Sequence, residues 1–520
     1  MVNEDAGAPT GTIETDWRQA ITGKLAGWRG DVGLGIVGLL ICGSGMWIPS
    51  PWIDEAATAH IISYSVPEMF GLWQTIDANF APYYLFMHFW TSLTGINPFW
   101  LRLPSTIAAG VAVGAMASTG RLLGGRRYQI FYAACFALLP RTTAMAIEAR
   151  PYELSAMFTA LALLLVVRQI TGLAGRWNPW LLALTMWGAV SMHLFSALPI
   201  IGLVGGAIYW LKPRQRRQLL ISSVMAALLS LPLAIIGLSQ QSQVSWLASV
   251  KYKLADQALV DSWFTSRWNI NPVKGYESPY VHEVPLHWLA VAMAVVALLV
   301  ILSGTIAARK RNLMQLTISL TPLVTSVGVL WLASVIGEPI LLSRYLTSAS
   351  PFFAMLLAEG FLWLRGRWQL VTAMALIVGS MVLFYAQRQP WTKLWKEDFK
   401  FIAMAMDNYA TPGDGFVMEP APSPHESARN AVALFPDSFQ PFNDLTQPER
   451  LPLTTVFTPD PPVAELDDLD DLPDRIWVVN RNGAPGPYQE QLAALGWTIE
   501  GWQEGPGHTA TLWTVQPRAS

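Results

Sequence analysis

Residues 81–93 read APYYLFMHFWTSL, and the topology of the whole chain turns on them. A helix needs about 20 mainly apolar residues to cross a bilayer, and this run is too short. A run of that length suits an element lying in the interface or re-entering from one side. Counting it as a span would invert every later segment and put Arg126 and Arg127 outside, away from the other basic loops. Read as interfacial, it belongs to a long first outer loop, 50–102. That loop also carries Trp52-Ile53-Asp54-Glu55-Ala56, His60, Asp77, Asn79, His88 and Arg102.

The rest of the chain fits a bilayer. Of its 520 residues 52% are hydrophobic and only 13% charged, and mean hydropathy is +0.34. Soluble domains are about one-quarter charged, so the composition indicates a polytopic membrane protein. Eleven apolar runs are long enough to read as spans: 32–49, 103–122, 128–147, 151–167, 177–193, 194–211, 218–238, 286–307, 313–335, 345–363 and 368–386. Basic residues gather in alternate loops: Arg18, Lys24 and Arg29; Arg121, Arg126 and Arg127; Arg168 and Arg176; Lys212, Arg214, Arg216 and Arg217; Arg309, Lys310 and Arg311; Arg365 and Arg367. Cytoplasmic loops hold the excess of Lys and Arg. The expectation is therefore a multi-pass plasma-membrane protein with a cytoplasmic N-terminus and an extracytoplasmic C-terminal tail. The partner this implies is the lipid bilayer; a net charge of −2 gives no reason to expect nucleic acid. Cys42 and Cys135 both lie inside apolar runs, so no disulfide framework is expected.

Three regions follow. Residues 1–30 read as a polar, disordered cytoplasmic segment without a cleavable signal pattern. Residues 31–387 form the membrane domain. Residues 388–520 are polar enough, and long enough, to hold a core of their own. In that tail, 398–409 has helical spacing and ends at the turn Thr411-Pro412-Gly413-Asp414-Gly415. Phe416–Met418, Ile476–Val479 and Thr509–Val515 read as strands, and Tyr488–Leu495 as a helix. The expected fold class is an α-helical membrane protein of about 11 spans with a C-terminal extracytoplasmic α/β domain.

Chemistry concentrates on the outer side. Asp54 and Glu55 follow the first span directly; adjacent carboxylates can serve as general base or gather cations, or merely be solvated. Arg102, Arg150 and Arg344 each begin a span on that side. A guanidinium stays charged and offers a fixed fork of donors suited to phosphate. The plainer reading is that each snorkels to the interface or pairs with Glu148, Glu153 or Glu338. His60, His88 and His193 could ligate a divalent cation with Glu55, although no tight ligand spacing is present. Phosphate-binding glycine loops, zinc-protease helices and serine elbows are not evident. Any group transferred must then arrive already activated.

One ordered series spans residues 30–365: the acid pair after the first span, Pro82-Tyr83-Tyr84, Leu101-Arg102-Leu103-Pro104, Glu148-Ala149-Arg150-Pro151-Tyr152, His193-Leu194-Phe195 and Arg344-Tyr345-Leu346. It resembles the multi-spanning C-type glycosyltransferases, specifically the protein mannosyltransferase and aminoarabinose transferase superfamily, in an actinobacterial-like member. The resemblance implies transfer of a sugar, mannose first among candidates, from a polyprenyl-phosphate sugar to a glycan, lipid or protein acceptor of the cell envelope, with inversion. It implies Asp54 as base and Glu55 in support. Arg102, Arg150 and Arg344 become contacts to the lipid phosphate, and His60, Tyr83, Tyr152, His193 and Tyr345 possible substrate contacts. Where the family often has His-Pro-Pro, this chain has Phe80-Ala81-Pro82, so no role carries over from that histidine. The competing classes are a transporter or flippase of lipid-linked glycans and a non-catalytic envelope scaffold. The first would place ionisable residues in mid-span and repeat its halves.

Overall fold

The computed structural model describes residues 27–240, 253–264, 283–308, 312–337, 339–364, 366–393, 398–446, 451–466, 472–481, 483, 485–505 and 507–515. Arg18, Lys24, Arg309, Lys310, Arg311, Glu338 and Arg365 lie outside them.

Every one of the eleven apolar runs is helical. Among the described residues, seven helices are long and apolar enough to cross a membrane: Pro98–Gly124, Tyr152–Ile170, Pro213–Ser239, Leu286–Ala307, Leu313–Ile336, Ser343–Trp363 and Arg367–Gln387. The other runs form shorter helices, with identifiable causes. The run 128–147 is divided into Arg126–Ala137 and Pro140–Met145, because Pro140 lacks the N–H that would continue the first helix. Helix Trp28–Gly43 stops at Ser44-Gly45, where Gly45 takes φ +71°.

The helices sort by exposure. In the most apolar 18-residue stretch of Ser343–Trp363, 89% of residues are buried, which sets it at the centre of the bundle, whereas the shares in Arg367–Gln387 and Pro213–Ser239 are 17% and 22%. The rim turns Leu228, Leu370 and Met381 outward, a surface that is stable only against lipid. Small residues set the closest crossings. A Cβ on Gly35 would lie 3.0 Å from the Gly110 carbonyl, and one on Gly360 would lie 2.6 Å from that of Val300.

The deciding stretch is one helix, Ala81–Thr94, of 14 residues, and it is not among the crossing helices. Its Tyr83, Tyr84, Met87 and Thr91 face inward, while Phe86, Phe89 and Leu93 are exposed.

The C-terminal region holds a five-stranded sheet ordered β2-β1-β3-β5-β4, with β1 Gly415–Met418, β2 Asn443–Asp444, β3 Arg475–Arg481, β4 Trp497–Gly505 and β5 His508–Val515. Strands β2, β1 and β3 run parallel; β5 pairs antiparallel with β3 and β4. Helix Phe399–Tyr409 is capped by the Asp398 carboxylate and packs Ile402 and Met406 inward. Edge strand β4 escapes a pattern search because Glu500, Gly501 and the exposed Trp502 break the apolar alternation.

The sheet region docks on the bundle through helix Ile53–Ile62 and its exit. The Tyr64 hydroxyl donates to the Leu451 carbonyl at 2.8 Å, and Thr458 Oγ1 lies 3.3 Å from His60 Nδ1. Between the two bodies the chain plunges back into the bundle. Arg388 donates to the carbonyls of Cys42, Ser44 and Thr143, and Lys393 Nζ to that of Ile147.

Candidate active site

Asp54 and Glu55 occupy the first turn of Ile53–Ile62, where the helix N-terminus favours negative charge. Successive helical positions point in different directions, and here the two acids part company.

Glu55 turns inward and is 1% exposed. Arg102 grips it with Nε to Oε1 and Nη2 to Oε2, both at 2.7 Å. The Ala149 N–H adds a bond at 3.0 Å and the Trp52 N–H one at 3.3 Å, and Lys393 Nζ lies 3.5 Å away. Arg102 is itself fully buried, and its Nη1 donates to the carbonyls of Met46 and Pro49. Its donors are committed to the protein, so it is not placed to meet a lipid phosphate. Of the three arginines, Arg150 and Arg344 are the two that lie beside Asp54.

Asp54 stays partly open. Its Oδ2 accepts from Arg344 Nη1 at 3.0 Å and has Arg150 Nε at 3.7 Å. Arg150 belongs to the turn before helix Tyr152–Ile170, and Arg344 to the 3-10 segment Ser343–Ala349. Three sequence-distant elements thus converge on one carboxylate. Arg150 also donates to the Tyr84 hydroxyl at 3.0 Å, and Tyr84 in turn bonds Asp77. Burial pushes the Asp77 carboxyl up, while Arg150 and Tyr84 draw it back.

Aromatic rings wall this polar centre. Arg150 stacks on Phe80 at 4.6 Å and Arg344 on Trp52 at 5.5 Å. Beyond Arg344, His193 packs between Tyr152 (5.4 Å) and Tyr345 (5.0 Å). Such an arrangement gives two cations with low-dielectric walls, where their field on an anion is strongest.

The remaining expected contacts divide. Tyr152, His193 and Tyr345 are in the wall. Tyr83 is fully buried, and among the described residues its hydroxyl has no hydrogen-bond partner. His60 faces Thr458 and Tyr64 instead, and His88 Nδ1 lies 2.8 Å from the Ile62 carbonyl. The structure therefore does not bring Glu55, His60, His88 and His193 together around a cation. Among the described residues, ligand atoms within 4.8 Å of one another occur at Asp256, Asp261 and His287.

Of two further residues near this centre, Lys393 escaped sequence reading and Glu148 was read only as an arginine's partner. Lys393, in Trp391-Thr392-Lys393, looks like an interfacial anchor after the last span, yet it reaches Glu55. Glu148 looks like a partner for an arginine. It is buried, with no hydrogen bond to either carboxylate oxygen among the described residues. Burial, with Glu55 and Asp54 nearby, pushes its carboxyl up against the pull of Lys393 and Arg344.

No protein-family model matches the chain, and no curated protein matches its sequence. Its likeness is structural. ArnT from Cupriavidus metallidurans bound to undecaprenyl phosphate superposes with a TM-score of 0.51 at 12% identity, over 93% of this chain and 98% of that one. The apo state of the same protein gives 0.50 at 12% identity, over 95% and 98%. AglB from Archaeoglobus fulgidus, in complex with an inhibitory peptide and a dolichol-phosphate, gives 0.43 at 11% identity, over 78% and 63%. The fold is thus that of ArnT: a helical membrane bundle with a small C-terminal sheet.

Proposed function

We propose that this chain is a membrane glycosyltransferase that moves a sugar from a polyprenyl-phosphate donor to a cell-envelope acceptor, with mannose the first donor to test. The reading rests on one observation: the Asp54 carboxylate is flanked by Arg344 at 3.0 Å and Arg150 at 3.7 Å within an aromatic wall. The fold shared with a protein bound to undecaprenyl phosphate supports it, as does the basic character of alternate loops, on which reading this end of the bundle and the C-terminal domain are extracytoplasmic.

In the proposed reaction the donor phosphate takes the two guanidinium groups, displacing Asp54 from them and leaving its carboxylate facing the acceptor. The acceptor hydroxyl oxygen forms the new bond to the anomeric carbon as the bond from that carbon to the phosphate oxygen breaks. The electron pair leaves with the polyprenyl phosphate, where Arg150 and Arg344 stabilise the developing charge. Asp54 accepts the hydroxyl proton. A single displacement inverts the anomeric centre. The tightly held Glu55 takes no proton here; with Arg102 it fixes the first turn that presents Asp54.

Purified protein is assayed with a labelled polyprenyl-phosphate sugar, wild type against Asp54→Asn. The variant is expected to lose turnover by roughly 10²–10⁴-fold, the usual contribution of a general base. Full turnover by the variant removes the base from the scheme. Silence of the wild type with every donor and acceptor tried would favour the transporter or scaffold instead.

A further inference from the structure

We propose that the C-terminal domain and the bundle together form a second binding cleft, one that takes an uncharged saccharide chain. A cavity of about 460 Å³ opens between Ser50 and Pro390 on the bundle side, helix Phe399–Tyr409, and Gln503 and Glu504 of β4. That is within the size range of small-molecule sites, roughly 300–1,000 Å³. None of its lining residues belongs to the Asp54 centre.

The ligand class follows from how the lining groups are employed. Asp398 and Lys400 build the wall. Asp398 Oδ1 accepts from Ser50 Oγ at 2.6 Å and from the N–H groups of Lys400 and Phe401 at 3.1 Å. The Lys400 ammonium donates to the carbonyls of Trp47 and Ile48 at 3.3 Å. Asp398 and Lys400 balance, and the Lys400 ammonium is already bonded to carbonyls. Gly505 meets Phe401, so the Glu504 side chain points to the other face of β4. The described lining thus offers a phosphate or carboxylate ligand no net positive charge. The Asp54 centre, with two arginines, has the opposite preference.

The remaining polar groups are the Asn408 and Gln503 amides and the Tyr409 hydroxyl. Each both donates and accepts hydrogen bonds, as sugar hydroxyls do. Phe401 and the half-exposed Tyr409 add ring surface, matching the mixed polar and apolar faces of a sugar ring. The exposed Trp47, four residues past the end of helix Trp28–Gly43, has the character of an interfacial anchor, which sets the cleft beside the membrane surface. Ser50 lies in its lining four residues before Asp54. A chain held here would be offered to the transfer site from the same end of the bundle. The inference rests on the glycosyltransferase reading and narrows it: the acceptor is a glycan.

The test is direct binding, without transfer. The full chain in lipid nanodiscs is titrated with tri- to hexasaccharides of mannose, arabinose, glucose and galactose, followed by saturation-transfer NMR. At least one series should bind saturably, with no competition from inorganic phosphate. The double variant Asn408→Ala/Gln503→Ala should weaken it roughly tenfold, as expected for two lost hydrogen-bonding groups, with its Tm unchanged. Asp54→Asn should bind as the wild type does. Absence of binding across the panel, an unaffected double variant, or competition by phosphate overturns the cleft. Saccharide binding without transfer from any donor would keep the cleft and remove the transferase; transfer to a non-glycan acceptor without saccharide binding would do the reverse.

Discussion

Glu55 spends both its oxygens on Arg102, Ala149, Trp52 and Lys393, while Asp54 next to it meets two arginines at an opening. Burial alone would raise the Glu55 carboxyl; Arg102 first, and Lys393 after it, hold it down to about 2 instead of 4.5. A folded value below the unfolded one stabilises the fold above pH 4.5, and that stabilisation is lost as pH falls through about 2. Adjacent carboxylates therefore give separable phenotypes. Glu55→Ala leaves Arg102 buried with an uncompensated charge and should cost about 3–5 kcal/mol, read as a large drop in Tm in detergent. Asp54→Asn should keep a Tm near wild type while losing turnover. A Tm loss of equal size in both variants would contradict this division. Sequence alone could nominate the dipeptide but could not rank its members, because neighbours in a strip of letters give no sign of which one is buried. Arg102 had the same limitation: Leu-Arg-Leu-Pro at a span start reads alike whether the guanidinium faces a phosphate or a buried glutamate.

Hydropathy locates the eleven apolar runs but not the helices Ile53–Ile62 and Val66–Trp73 of the outer loop, and it says little about which face meets which neighbour. Gly360 and Gly328 look equivalent as glycines within apolar helices. In the fold a side chain on Gly360 would strike Val300, whereas one on Gly328 would meet nothing within 4 Å. Gly360→Leu should therefore lower Tm through overpacking by about 1–3 kcal/mol or more, and Gly328→Leu should leave it unchanged. Equal effects would mean that the crossing with helix Glu283–Ala308 tolerates separation. The same contrast explains β4: an edge strand half in solvent need not alternate, so its periodicity carries no warning. The helix Ala81–Thr94 is legible as a short element because its length alone excludes a full crossing. Its inward face is not, since Tyr84 finds Arg150 only through the fold.

At the scale of the molecule, the two bodies should respond to acid in order. His508 lies on β5 at 1% exposure; burial, then the Arg481 charge, hold its ring at about 3 instead of 6.5. The unfolded domain takes up a proton below pH 6.5 that the folded one refuses until about 3, so stability from this group declines as pH falls through that window. The domain should loosen there, ahead of the Glu55 pairing in the bundle. Limited proteolysis of the C-terminal region against pH would show it, with His508→Gln flattening the dependence; an unchanged profile in that variant would assign acid sensitivity elsewhere. The layout of apolar bundle and polar tail could be read from composition. The docking could not, since Tyr64 with Leu451 and His60 with Thr458 join residues far apart in the chain.

Arg388 and Lys393 set a schedule for biosynthesis. Arg388 closes on the Ser44 carbonyl 344 residues upstream; at about 5–20 residues per second the ribosome needs roughly 20–70 seconds to deliver it. Until then the first helix and the active-site turn wait in the membrane without their last cations. A nascent chain stalled before residue 388 would hold all its apolar helices and still lack the clasp that completes the centre.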